Sequence, residues 1–102
     1  MRKVVVTHFA VHQLNAIYEY YIGYASIRIA KKIKTEIISA IKSLKGEDVV
    51  WQEDEFLTYL NKNHKRLVCA NYKIIYYLNT TENIVYVTDI FDSRQDPLKE
   101  KG

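Results

Sequence analysis

The sequence predicts an α+β fold: an N-terminal strand, then an antiparallel two-helix hairpin packed on a mainly antiparallel sheet of about four strands. Three observations carry this. Tyr72–Leu78 and Ile84–Phe91 are apolar runs dense in Ile, Val and Tyr, the residues that suit a pleated, half-buried surface. They are joined by Asn79-Thr80-Thr81-Glu82-Asn83, whose Asn and Thr side chains favour turns by bonding local backbone, so the pair reads as a β-hairpin. Upstream, residues 8–45 hold two stretches with apolar residues at helical spacing, separated by a short break.

In chain order, Val4-Val5-Val6 is a β-branched run and the first strand. Thr7 is placed to cap the next helix with its hydroxyl. The first helix spans about 8–22, with Ala10, Leu14, Ile17 and Tyr21 on one stripe, and Gly23 is its expected stop. Ser26 is the expected cap of a second helix over about 27–45. Its inner stripe is Ile27, Ala30, Ile33, Ile37, Ile41 and Leu44, its outer face is lysine-rich, and Gly46 is its expected C-terminal cap. Residues 47–65 carry weaker signals. Val49-Val50-Trp51 is a short strand or a packed loop, Phe56, Leu57, Tyr59 and Leu60 suit one helical turn, and Asn61–Lys65 is a polar loop. Trp51 with Phe56, Leu57 and Tyr59 is expected to cover one end of the core. Arg66–Asn71 reads as a third-last strand, and Asp92–Pro97 ends the sheet with charge and the only proline.

At 102 residues the chain is expected to form one domain over 1–102, without repeats or linkers. The formal charge of +3 permits an acidic partner without requiring one. Cys69, the single cysteine, cannot form an internal disulfide and is expected as a small apolar residue in a strand. The apolar stretch in Met1–Phe9 is too short for a signal peptide and no run reaches the length of a membrane span, so the expected location is cytoplasmic, with no membrane partner. His8 and His12, one helical turn apart, fall short of the ligands zinc requires, so no metal or cofactor is expected.

Arg66, Lys73 and Arg94 stand on or at the ends of three neighbouring predicted strands, with His64 just before the first. Such a gathering suits an anionic contact. On physical grounds alone, solvated strand-end charges that blunt sheet edges are the better account of it.

In this element order, Asn71-Tyr72-Lys73-Ile74-Ile75-Tyr76 and Ile90-Phe91-Asp92-Ser93-Arg94-Gln95-Asp96-Pro97 resemble two strand motifs of the RelE/ParE superfamily of type II toxins, often called plasmid stabilisation proteins. The resemblance covers nearly the whole chain and implies a growth-inhibiting toxin neutralised by a cognate antitoxin. It forks at the target. ParE-like members inhibit DNA gyrase; RelE-like members cleave ribosome-bound mRNA without a metal, using basic residues on the sheet. The positions matching those basic residues are His64, Arg66, Lys73 and Arg94. Two departures favour the ParE-like side. Lys73 replaces an arginine and loses its planar fork for phosphate, and the tyrosine beyond the last arginine of RelE-like members has no counterpart. A catalytic role is therefore assigned to none of the four. An inactive relative that only binds its antitoxin is the third reading.

Overall fold

The computed structural model of the chain describes residues 2–44, 46–51 and 64–92. Strand β1 (Arg2–Val6) leads into helix α1 (His8–Tyr24), which pairs with helix α2 (Ile27–Lys42). Strands β2 (Gly46–Trp51), β3 (Lys65–Cys69), β4 (Tyr72–Asn79) and β5 (Ile84–Asp92) follow. The sheet order is β2-β1-β5-β4-β3. The three C-terminal strands are antiparallel, as expected, and β1 lies parallel between β5 and β2. The fifth strand is β2, from the segment whose sequence left strand and loop open.

Both helix caps are as expected. The Ala10 N–H donates to Thr7 Oγ1 at 3.3 Å, and the Ile29 N–H donates to Ser26 Oγ at 3.2 Å. Thr7 is fully buried, and its own N–H donates to the Val87 carbonyl at 3.0 Å. One threonine thus joins the end of β1 and the start of α1 to β5.

The helix ends differ from expectation. Gly23 lies inside α1, which runs on to Tyr24; the backbone leaves helical angles at Ala25, whose N–H still donates to the Tyr21 carbonyl at 2.9 Å. A single helix-interior glycine costs only about 1 kcal/mol, too little to end a helix held by core contacts. α2 stops at Ser43, whose N–H and hydroxyl both bond back to the Ala40 carbonyl, and Gly46 opens β2 instead of capping α2. β3 begins at Lys65 and ends at Cys69 because Ala70 turns to φ 54° and starts the tight connection to β4.

The helices cover one face of the sheet. Ala10, Leu14, Ile17 and Tyr21 of α1 and Ala30, Ile37 and Ile41 of α2 are buried against Val4, Val6, Tyr72, Ile74, Val85, Val87 and Ile90. Ile27, expected in the inner stripe of α2, is instead 55% exposed, since it opens the first turn at the tip of the hairpin. Cys69 packs against this core, where burial and the nearby Glu36 carboxylate push its thiol above the usual range. That opposes a thiolate and agrees with the apolar role expected of it. On the opposite face Val5, Tyr77 and Tyr86 form a second buried cluster.

Candidate functional site

The site follows from a break in strand periodicity. Along β5, Val85 and Val87 face the helices, and so do Ile90 and Asp92. Two inward pairs spaced three apart cannot lie on a regular strand, whose side chains alternate. The ladder with β4 slips accordingly: Ile75 pairs with Asp89 and Tyr76 with Val87, leaving Thr88 as an extra residue. Such a bulge bends its strand and re-aims the adjacent side chains. Here it presents Thr88 and Asp89 beside the first turn of α1.

Around the bulge lies a cleft of about 580 Å³, lined by Phe9, His64, Lys65, Arg66, Ile75, Thr88, Asp89 and Phe91. Phe9 comes from the first turn of α1, which the Thr7–Val87 bond holds against β5. Ile75 and Phe91 give an apolar floor. Asp89 is half-buried, and its Oδ1 accepts the Ile90 N–H at 2.7 Å, which fixes the carboxylate at the wall. Thr88 Oγ1 makes a long contact, 3.5 Å, to the Ile75 carbonyl. His64, Lys65 and Arg66 are exposed at the rim. Behind the rim, the His64 ring meets Tyr77 edge-on at 5.2 Å, and Tyr77 stacks on Tyr86. The Tyr86 hydroxyl donates to Glu82 Oε1 at 2.7 Å. Burial, then Glu82, holds both tyrosine hydroxyls above the ordinary phenol range.

Of the four residues singled out by sequence, His64 and Arg66 line this cleft. Lys73 is half-buried and does not line it; it sits on β4 two positions from Ile75, on the same sheet face, about 7 Å along the strand. Arg94 lies outside the described residues, as do Phe56, Leu57, Tyr59 and Leu60. Sequence reasoning missed Asp89, Thr88 and Phe9. The three-residue step from Val87 to Ile90 was the available signal for the first two; nothing local marked Phe9, since its place depends on how α1 meets the sheet.

Among the described lining residues, two cations, Lys65 and Arg66, stand against one carboxylate, Asp89, so these are of both signs and net positive by one charge. That combination suits an acidic or mixed-charge macromolecular surface. The carboxylate repels a phosphate placed in the cleft, which works against tight phosphate chemistry. His8 is half-buried and His12 exposed on α1. Among the described residues no helix is long and apolar enough to cross a membrane.

No family model and no curated protein sequence matches the chain. The solved structures do give a likeness. A chain of the structure described as "Chromosomal ParDE TA system from P. aeruginosa" superposes with a TM-score of 0.68, covering 90% of this chain and 96% of that one, at 16% identity. The two chains share a fold. At that identity the likeness speaks for architecture: the strand, the helical hairpin and the antiparallel C-terminal strands, as the sequence predicted.

Proposed function

We propose that the chain is the toxin of a type II toxin–antitoxin pair, of ParE-like type, neutralised by a cognate antitoxin and acting on DNA gyrase. The observation that carries the toxin reading is the likeness, over 90% of its length, to a chain of a ParDE system. The strand motifs around Tyr72 and Phe91 support it independently of that comparison. The choice of a binding target over a hydrolytic one rests on the cleft. Asp89 stands among its cations, Lys73 lies outside it, and neither arrangement favours a phosphorane.

The toxin role is tested by expressing the chain alone and with the product of the neighbouring reading frame. Growth arrest that co-expression relieves, with the two proteins co-purifying, is the expected result; harmless expression alone leaves only an inactive antitoxin-binding relative. The target is tested with purified protein in a gyrase supercoiling assay, where undiminished supercoiling at large molar excess removes gyrase.

One observation favours the second reading, a ribosome-dependent endoribonuclease: His64 and Arg66 line one cleft. Primer extension on messages after induction separates the two, since new cuts lost with Arg66→Ala belong to a nuclease alone.

A further inference from the structure

The face of the sheet turned away from the helices reaches beyond the cleft, and strand register places its side chains. On β3, Leu67 and Cys69 pack toward the helical core, so Arg66 and Val68 take the opposite face. On β4, Tyr72, Ile74 and Tyr76 pack toward that core, so Lys73 and Ile75 join them. The ladder pairs Arg66 with Ile75 and Ile75 with Asp89; it pairs Val68 with Lys73 and Lys73 with Phe91. Two rows thus cross β3, β4 and β5, about 7 Å apart. The first row and Phe91 line the cleft. The second carries the surface on from Phe91, through Lys73, to Val68.

Val68 is the unusual member. It is 61% exposed, and among the described residues it is the one large apolar side chain that the sheet leaves exposed, the others being on the helices. Sheet margins are ordinarily blunted with charge, so a bare valine there has no structural purpose of its own. Arg66 and Lys73 are diagonal neighbours, about 7–8 Å apart, and Val68 and Ile75 form the other diagonal of the same square. The square holds two cations and no acid; Asp89 stands one strand further on, beside Ile75. We infer that this square is the outer half of the target contact, with Val68 as an apolar anchor and Lys73 as a second cation beside Arg66, and that it meets an acidic patch of a protein partner. The inference rests on the toxin reading above and names the chemistry of the surface its target presents. Protein interfaces combine an apolar centre with a polar rim, and complementary charge selects the partner. Lys73, which misses the cleft, thereby joins Arg66 on one surface. A nucleic acid is disfavoured because Val68 offers a base no stacking face and the nearby Asp89 repels a backbone phosphate. A second copy of the chain is disfavoured because self-pairing sets Arg66 and Lys73 against cations.

The test expresses the full chain and two variants at equal levels and reads growth inhibition in viable counts. Val68→Ser, which leaves every charge in place, and Lys73→Gln, which keeps most of the side-chain stem, should each inhibit at least tenfold less than the parent. An unperturbed amide spectrum of each purified variant, apart from the substituted site and its neighbours, reports that it folds. Parent-level inhibition by both folded variants overturns the inference and leaves the toxin reading standing. A loss in one variant alone overturns it too, since the surface needs both the anchor and the cation. A parent chain that is harmless removes the toxin reading instead, and the inference with it. Two further results would give the square to another occupant and overturn the inference. One is an oligouridine that shifts the amides of Arg66, Val68 and Lys73 in the parent but not in Lys73→Gln, which assigns the face to nucleic acid. The other is a concentration-dependent dimer in sedimentation that Val68→Ser abolishes, which assigns it to a second copy.

Discussion

Tyr77 is the least reconciled side chain among the described residues: it is 1% exposed, and its hydroxyl has no hydrogen-bond partner among them. An unsatisfied buried polar group costs roughly 1–3 kcal/mol. Tyr77→Phe should therefore stabilise the protein by about 1 kcal/mol in urea denaturation, the ring contacts with His64 and Tyr86 being retained; destabilisation would mean the hydroxyl is bonded after all. The same residue makes a pH prediction. Tyr77 and Tyr86 both have folded pKa values raised above the unfolded value of about 10. Above that pH the unfolded chain releases phenolic protons that the folded chain keeps, so the unfolded state binds fewer and stability falls as pH rises. The stability is thus fully present below about pH 10 and is lost on the alkaline side. Thermal melts from pH 8 to 11 should show the melting temperature dropping, less steeply in Tyr77→Phe; a flat profile would contradict the burial of both phenols. Ala70 stores strain of another kind, a φ of 54° in a residue with a Cβ. Left-handed backbone costs an L-residue roughly 1–2 kcal/mol, and glycine returns roughly 0.5–1 of that as unfolded-state entropy. Ala70→Gly should gain about 0.5–1 kcal/mol by chemical denaturation, and a loss would show that the turn is held by something other than its backbone.

Among the elements, β5 carries the most consequence, because its bulge positions the cleft. Removing Thr88 leaves Val87, Asp89, Ile90, Phe91 and Asp92 in regular alternation and makes the ladder with Ile75 and Tyr76 continuous. The deletion should therefore fold cooperatively, within about 1 kcal/mol of the parent, since the Thr88 hydroxyl gives up only its long contact to the Ile75 carbonyl. It should straighten the strand and abolish growth inhibition if the cleft serves the target. A circular dichroism melt and a plating assay read the two effects separately, and an unfolded variant would show the bulge to be part of the core. This element also marks how far the sequence could be read. The buried stripe of α1, both helix caps and the β4–β5 hairpin, whose Glu82 N–H donates to Asn79 Oδ1 at 3.0 Å, were legible because they are set by side chains within four residues of one another. The extent of α1 past Gly23 and the exposure of Ile27 were not, since tertiary contacts decide both. β2 was half legible: its β-branched residues suit a strand, but its parallel pairing with β1 is made across the whole hairpin. Of the site, sequence reached the exposed His64 and Arg66 and passed over the carboxylate beside them.

At the scale of the molecule, the described residues gather charge on two separate surfaces: a mixed-sign cleft on the open sheet face and a row of lysines on α2. If the cleft meets an acidic target surface, its effect scales with net charge, and two substitutions move that charge in opposite directions. Arg66→Glu takes the rim from net positive by one to net negative by one, counting Lys65, residue 66 and Asp89. Arg66 is exposed, so the change should leave stability within about 0.5 kcal/mol. Growth inhibition should fall at least tenfold in viable counts. Asp89→Asn raises the rim by one charge, and its amide oxygen can still accept the Ile90 N–H that holds the carboxylate now. This variant should inhibit growth at least as strongly as the parent. Binding to the target in vitro should weaken with added salt on the scale set by a Debye length of about 10 Å at 0.1 M. If Asp89→Asn is as inactive as Arg66→Glu while both remain folded, the carboxylate acts by a specific bond or a proton rather than by field. The endoribonuclease reading then gains the stronger claim on the cleft.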